Sequence, residues 1–193
     1  MLTLAQHILD IAENSIRAGA TLIEISIEED NDQDLLSIEI HDNGHGMPPE
    51  MIKKVLDPFY TTKTVRRVGL GLPLLKDAAD RTDGVFVLDS TENQGTKVRA
   101  TFVLSHLDRQ PLGAINSILI ILIISNSSVD FFYKHRHNDR RFELDTREIR
   151  KEIDDVPINH QEIIKYIRGV IAEGLIDIGS EAETPLNDRG GSK

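Results

Sequence analysis

The sequence predicts an α/β protein in which helices cover one face of a mixed β-sheet. Residues 22–29 alternate between apolar and polar side chains, as a half-buried strand does, whereas the apolar residues before Gly19 recur at helical spacing. The first hundred residues run in the order helix, two strands, two helices, two strands. With 193 residues, of which 39% are hydrophobic and 28% charged, the chain suffices for one domain and a modest appendage.

Local sequence patterns predict each helix, strand and loop up to residue 104. Thr3 and Gln6 have capping-box spacing, and Gly19 suits a left-handed cap at the end of the first helix. Pro73 fits the first turn of a later helix, where a missing N–H costs nothing. Besides the first helix, the pattern predicts strands at 22–29, 35–41, 85–89 and 97–104, a tight loop at 42–47, a short helix ending at Val55, an aperiodic loop at 58–68 and a helix after Leu72.

Residues 108–178 are predicted to form a smaller α+β extension of a domain at 1–107. Pro111 and Gly113 mark the boundary, and the run at 115–124 is compatible with either a buried helix or a strand. The rest of the pattern suggests a hairpin of 129–135 and 141–145, helices at 147–155 and 159–176, and a polar tail at 179–193 that we expect to be disordered.

Charge and composition exclude several classes of function. Lys and Arg total 22 against 32 Asp and Glu, a net charge of −10, so we expect no nucleic-acid-binding surface. The chain has no cysteine, which excludes disulfides, thiolate metal sites and cysteine nucleophiles. The longest apolar run, Ile118–Ile124, is far shorter than the roughly 20 residues of a membrane span, and the N-terminus has no signal-peptide pattern. We therefore expect a cytoplasmic protein that contacts no membrane.

The first helix carries a polar stripe opposite its apolar side. Asp10 and Asn14 are four residues apart and share one face, and His7 and Arg17 extend the stripe. Such a pair can be functional, although the same spacing is common on solvated helix faces.

Two glycine-containing segments are further candidates. In Asp42–Gly46, a strand delivers a carboxylate that can accept a hydrogen bond from the exocyclic amine of adenine, beside glycines that permit close approach; the alternative is a simple turn. Gly69–Leu72 offers free amides at a helix start, which suits phosphate, although glycines also permit close helix packing. The nearby cationic side chains either add charge there or belong to a solvated loop: Lys63, Arg66 and Arg67.

In order and spacing, these motifs resemble the GHKL ATP-binding superfamily of gyrases, heat-shock chaperones, histidine kinases and mismatch-repair ATPases. The resemblance covers residues 7–104. The matching segments are 7–20 (N box, with Glu13-Asn14-Ser15 close to the mismatch-repair version), 42–47 (first glycine box), 57–63 (F box), 69–72 (second glycine box) and Gly95-Thr96 (the last, short box).

The resemblance implies a Bergerat fold, a two-layer sandwich that holds ATP between its helices and sheet beneath a lid. Asn14 would bind Mg²⁺ through its side-chain oxygen, a ligand type that Mg²⁺ prefers, and Asp42 would recognise adenine. The remaining implied nucleotide-binding residues are Gly44, Gly46 and Met47 in the adenine pocket, Thr96 beside it, Lys63 in the lid, and Gly69, Leu70, Gly71 and Leu72 at the phosphates.

Three departures from the family pattern bear on activity. Asp10 stands where hydrolytic members carry a glutamate that activates water, and its shorter side chain disfavours efficient hydrolysis. We expect no phospho-accepting histidine, because the N box starts at residue 7; His7 itself is expected to pack or cap. Arg67-Val68 replaces the first glycine-threonine pair of the second glycine box, and the lid is short.

The resulting hypothesis is a Mg²⁺·ATP-binding protein that phosphorylates or regulates a separate protein, with Asp10 steering or deprotonating the incoming hydroxyl. Two alternatives remain: a non-catalytic nucleotide sensor, and a slow ATPase clamp that forms a homodimer when ATP orders its lid. In the extension, the basic cluster Tyr133–His137 either contacts an anionic partner or forms a charged hairpin edge that blocks aggregation, and we favour the edge.

Overall fold

The computed structural model describes residues 3–57 and 71–182, which form six helices and six strands. The helices are α1 (Leu4–Arg17), α2 (Pro49–Val55), α3 (Gly71–Asp80), α4 (Ile115–Ser125), α5 (Thr146–Glu152) and α6 (Gln161–Ile178). The strands are β1 (Leu22–Asp30), β2 (Leu35–Asp42), β3 (Phe86–Thr91), β4 (Gly95–Val103), β5 (Asp130–His137) and β6 (Arg140–Asp145). Within these ranges, no helix is both long enough and apolar enough to span a membrane.

The six described strands form a single mixed sheet in the order β3-β4-β2-β1-β5-β6. β1 and β5 are parallel, and the other neighbouring strands are antiparallel. Ile25 in β1 pairs with Ile40 of β2 on one side and with Tyr133 of β5 on the other. The sheet therefore continues without a break from the part of the chain before residue 108 into the part after it.

The helices form a layer on one face of this sheet, which confirms the predicted α/β fold class. In β1, Ile23, Ile25 and Ile27 face the helices and are at most 2% exposed. The helices contact one another in the order α3, α1, α4 and α6, which follows the sheet from its β3–β4 side to its β5–β6 side. The opposite face carries charged side chains, among them Lys97 and Glu39, whose Nζ and Oε1 are 2.9 Å apart.

The run at 115–124, for which helix and strand were both open, forms helix α4. Seven of its eleven residues are buried, because α1 packs on one side of α4 and α6 on another. The remaining side carries Ile121 and Ile124, which are 48% and 43% exposed, so apolar side chains occur around the whole helix and its sequence shows no amphipathic period.

The connector between β4 and α4 caps the first turn of α1. The amides of Leu4 and Ala5 donate to the carbonyls of Pro111 and Leu112 at 3.0 and 2.9 Å, so two otherwise unpaired helix N–H groups are bonded. His7 is buried and its Nε2 lies 2.9 Å from Gln110 Oε1. Burial lowers the pKa of His7, although Gln110 and Asp10 act in the opposite direction. The helix is therefore tied to the extension at its start.

The cluster Tyr133–His137 is mostly neutralised within the chain. Tyr133 and His135 face the helices and are buried, and the guanidinium of Arg136 is paired with the carboxylates of Glu28 and Asp30. Lys134 is exposed and its Nζ lies 4.4 Å from the centre of the Phe132 ring, so among the described residues the cluster presents one cation without an ion pair and not a broad basic patch.

A buried carboxylate joins β1, β5 and the end of α6. Glu29 Oε1 lies 2.7 Å from Nε2 of His135 and accepts from Ser180 Oγ at 2.5 Å, while Oε2 accepts from the Glu181 amide at 3.2 Å. The hydroxyl of Tyr133 lies 2.5 Å from Nδ1 of the same histidine. Burial alone would raise the pKa of Glu29, but the hydrogen bonds from His135, Ser180 and Glu181 outweigh burial, so this pKa is lowered.

We expect Glu29→Gln to lower the free energy of unfolding by about 2 kcal/mol at neutral pH, because buried hydrogen-bond donors lose their acceptor. Since the pKa of Glu29 is lower in the folded protein, its contribution is present above the ordinary carboxyl pKa and is lost as pH falls through the folded value. Urea unfolding at a series of pH values should show the two proteins converging in acid.

Glu39→Gln on the solvent-facing side of the sheet is the matched control, and we expect a change below about 0.5 kcal/mol there. Equal effects of the two substitutions, or a difference that does not change with pH, would contradict this role of Glu29.

Candidate nucleotide site

Asp42 is a buried carboxylate at the last residue of β2, only 4% exposed. Ser15 Oγ donates to its Oδ2 at 2.5 Å, and the amide of Gly44 donates to its Oδ1 at 2.9 Å. Because a carboxylate oxygen accepts more than one hydrogen bond, each oxygen keeps acceptor capacity. The position and orientation of this acceptor are therefore fixed, while it can still receive a donor from a ligand.

The local sequence explains why the strand ends here. The side chain of Asn43 is bonded to the start of β1, where its Oδ1 accepts from the amides of Thr21 and Leu22 at 2.9 and 3.0 Å. The amide of His45 donates to the carbonyl of Ala18 at 2.9 Å, at the C-terminal end of α1. The loop after Asp42 is thus held against the end of the helix that carries Ser15.

The glycine loop is pressed against the β3–β4 hairpin at Gly46. This residue has φ +61, and a Cβ built on it would lie 2.0 Å from the carbonyl oxygen of Thr91. Neither the backbone conformation nor the space allows an ordinary side chain. The next residue, Met47, donates its amide to Ser90 Oγ at 2.9 Å, and this hydroxyl lies 2.9 Å from Thr96 Oγ1.

Thr96 pairs with Asp42 across β4 and β2, so the hairpin and the carboxylate meet at the same end of the sheet. Ser90 joins Thr96 to the glycine loop, and it was not among the residues predicted from the sequence. No motif marks it, because its role arises only when the hairpin folds back on the loop. Ser15 has a sequence signal, since it follows Asn14 in the N box and lies on the buried side of α1.

The polar stripe of α1 lies beside this end of the sheet. Asn14 is half-buried and its Oδ1 accepts from Arg17 Nη2 at 2.6 Å. Asp10 is exposed and lies against the start of α3, where a Cβ built on Gly71 would be 3.1 Å from Asp10 Cβ and 3.8 Å from its Oδ2. The first residue of α3 is therefore adjacent to the carboxylate one turn before Asn14.

The structure thus brings most of the predicted site residues to neighbouring elements at one end of the sheet. Leu72 follows Gly71 and packs partly against the core. The predictions for Lys63, Gly69 and Leu70, and for Arg66 and Arg67, lie outside the described residues.

The donor set suits a metal ion shared with a ligand more than a metal held by the protein alone. Within residues 3–57 and 71–182, no group of three or more His, Asp or Glu is placed to hold a metal ion. Asn14 offers one amide oxygen, and Mg²⁺ in proteins commonly combines one or two side-chain ligands with phosphate oxygens and water. The residues present therefore fit Mg²⁺ that arrives with a nucleotide.

Residues 2–106, just over half of the 193 residues, match the family described as histidine kinase-, DNA gyrase B-, and HSP90-like ATPases. The chain belongs to this family. It therefore contains a GHKL-type ATP-binding domain, and Asp42 and the polar face of α1 lie inside the matched range.

Curated relatives are similar over this domain. The chain is 31% identical over 114 residues to the non-motile and phage-resistance protein of Caulobacter vibrioides, a match that covers 54% of this chain and 14% of that protein. It is 37% identical over 76 residues to the sensor histidine kinase YxdK of Bacillus subtilis, covering 37% of this chain and 23% of that protein. The chain thus matches less than a quarter of the length of either relative.

A solved structure agrees on the fold over a larger share of the chain. The N-terminal domain of a DNA repair protein matches with a TM-score of 0.52 and 20% identity, covering 75% of this chain and 53% of that one. At this identity, the likeness concerns the arrangement of helices and strands.

We expect Gly46→Ala to destabilise the GHKL domain by about 3 kcal/mol, because alanine adds left-handed strain and a clash with Thr91. Gly19→Ala is the matched comparison, since Gly19 has φ +76 but no atom within 4 Å of a built Cβ. This variant should lose only about 1–2 kcal/mol from backbone strain. Chemical denaturation measures both, and equal losses would show that the close approach at Gly46 is not a constraint.

Proposed function

We propose that the protein binds Mg²⁺·ATP and uses it to phosphorylate or otherwise regulate a separate protein. The observation that carries the proposal is the buried Asp42, fixed by Ser15 and Gly44 beside the polar face of α1. The family supports ATP binding, and the roles of individual residues below belong to the proposal.

Asp42 is proposed to select adenine. Its carboxylate accepts hydrogen bonds only, so it favours a base with an amine at position 6 over a base with a carbonyl there. Gly44 and Gly46 let the loop lie close against Ala18 and the β3–β4 hairpin, so that its backbone borders the carboxylate where the adenine ring is proposed to lie, with Met47 and Thr96 nearby. A buried acceptor of fixed position discriminates strongly, because the wrong base leaves it unpaired.

Asn14 is proposed to bind Mg²⁺ through Oδ1, the oxygen that now accepts from Arg17. The metal would neutralise charge on the phosphates as the γ-phosphoryl group is transferred. On the α3 side, Gly71 and Leu72 begin a helix whose free amides suit an anion, and Gly69, Leu70 and the lid residue Lys63 are proposed to extend the phosphate site.

Asp10 is proposed to orient or deprotonate the incoming hydroxyl. It is exposed and lies against Gly71, so it is accessible from the same side as the start of α3. Phosphoryl transfer depends mostly on positioning and charge neutralisation, so a carboxylate shorter than glutamate is less damaging here than in hydrolysis.

A nucleotide sensor is the second candidate, and the capping of α1 favours it. The connector carbonyls of Pro111 and Leu112 bind the first amides of the helix that also carries Asp10 and Asn14. A shift of α1 on ATP binding would therefore reach the extension directly, without any chemical step.

Asp42→Asn should weaken ATP binding at least about tenfold both with and without Mg²⁺, because an acceptor of the adenine amine is replaced by a group that also donates. Isothermal titration calorimetry measures the affinity. Asp32→Asn, an exposed position in the β1–β2 turn, is the matched control and should bind as the parent does. Unchanged affinity of a folded Asp42→Asn protein would remove the adenine assignment.

Asn14→Ala should differ from Asp42→Asn in its dependence on metal. We expect the variant to keep the affinity for ATP measured in chelator and to lose most of the gain that Mg²⁺ gives the parent protein, because only the metal ligand is removed. Calorimetric titrations with and without Mg²⁺ test this. A full gain from Mg²⁺ in the variant would contradict the role of Asn14.

Three outcomes separate the candidate activities. Radiolabel transferred from γ-labelled ATP to a partner, and reduced in Asp10→Ala, would support the kinase. Release of ADP from ATP and Mg²⁺ alone, lost in the same variant, would support the ATPase clamp, and tight binding with neither product would support the sensor.

A further inference from the structure

Helix α6 has a second face that no other element of residues 3–57 and 71–182 covers. One side is buried in the core through Ile164, Ile167 and Ile171, together with Leu175 and Ile178. The other side runs along the helix surface and includes Tyr166 and Ile176, each 63% exposed. We call this side the outer stripe of α6; its members are Glu162, Lys165, Tyr166, Gly169, Ala172, Glu173 and Ile176.

The outer stripe is an open helix surface with a gap at Gly169. The side chains around this gap all belong to α6: Glu162, Lys165, Tyr166, Val170 and Glu173. A Cβ built on Gly169 meets no atom within 4 Å, so nothing else in the described chain occupies this space. Glycine in a helix interior costs roughly 1 kcal/mol relative to alanine, and no contact to another described residue compensates for that cost here.

The residues of the stripe are arranged symmetrically about Gly169. Lys165 lies four residues before it and Glu173 four residues after it, while Tyr166 and Ala172 lie three residues before and after it. When two such helices cross in antiparallel orientation at Gly169, each lysine faces a glutamate and each large ring faces a small side chain. A surface with this property is complementary to itself, as a two-fold interface requires.

We propose that the outer stripe of α6 is the interface of a homodimer, in which a second copy of this chain packs antiparallel across Gly169. The absent side chain lets the two helix backbones approach closely, so Tyr166 of each copy can lie over Ala172 of the other.

The charges support a second copy over a partner of one sign. Lys165 and Glu173 are about 12 Å apart along the helix axis, too far to pair with each other. Some helical charges elsewhere in the described residues pair within their own helix, as in Lys76–Asp80 and Arg81–Asp77. Lys165 and Glu173 form no ion pair within the described residues, so both charges remain for a partner that presents the opposite order.

This interface is independent of nucleotide, because α6 lies at the β5–β6 side of the sheet and the Asp42 pocket lies at the end of β2 and β4. The proposed homodimer can therefore be tested independently of the proposed ATP function.

Sedimentation velocity of the full chain without nucleotide, over a concentration series, tests the proposal. The parent protein should dimerise, and Lys165→Glu should raise the dimer dissociation constant at least about tenfold, because two like-charge pairs face each other. The double variant Lys165→Glu, Glu173→Lys should restore dimerisation, since the pairing is re-formed with reversed signs.

Two further variants separate interface effects from effects on the fold. Gly169→Gln should keep the fold, because its side chain points into open space and glutamine favours helix more than glycine does, yet it should block close approach. Arg141→Glu, on the far side of the sheet, changes charge by the same amount as Lys165→Glu and should dimerise as the parent does. A monomeric parent protein, a dimer that needs ATP, or a failure of the double variant to recover would overturn the proposal.

Discussion

The hydrogen bond between Ser15 and Asp42 is the contact on which the candidate site depends. It joins α1 to the last residue of β2 in the buried interior, 2.5 Å between Ser15 Oγ and Asp42 Oδ2. A carboxylate without partners in that position would be costly to bury. With Ser15 and the Gly44 amide as donors, the same carboxylate becomes a fixed acceptor bonded to the residue that follows Asn14, the candidate metal ligand.

The extension beyond residue 108 belongs to the same physical unit as the ATP-binding domain. β5 adds to the sheet in parallel with β1, α4 packs against α1, and the connector caps the first turn of α1. The Glu29 cluster then fixes the end of α6 to β1. A displacement of α1 would be transmitted through hydrogen bonds to the β5–β6 side of the sheet, as the proposed nucleotide-sensor function requires.

Much of the fold was predictable because local patterns and tertiary packing agree. The alternation of 22–29 and the capping signals at Thr3 and Gly19 act within a few residues, and the structure confirms the elements they predict. The 115–124 run could not be assigned, because its burial comes from two helices distant in sequence and leaves no period. The pairing of β5 with β1 could not be predicted either, because the sequence does not show which strand edge is open.

The site residues also divide into those that the sequence predicts and those whose role depends on the fold. Asp42, Asn14 and Gly46 lie in motifs whose order and spacing are visible in the chain, whereas Ser90 acquires its role only from the fold of the β3–β4 hairpin. Tyr133 and His135 read as part of a basic cluster, yet strand alternation turns both toward the helices, where they complete a buried network with Glu29.

Asp42 is proposed to recognise adenine as a fixed, buried acceptor of a hydrogen bond from the amine of the base. Calorimetric titration of the unmodified protein with ATP and with inosine triphosphate tests this recognition, because inosine has a carbonyl in place of the amine at position 6 and carries a proton at the neighbouring N1. We expect inosine triphosphate to bind at least about tenfold more weakly than ATP. Equal affinity for the two nucleotides would contradict it.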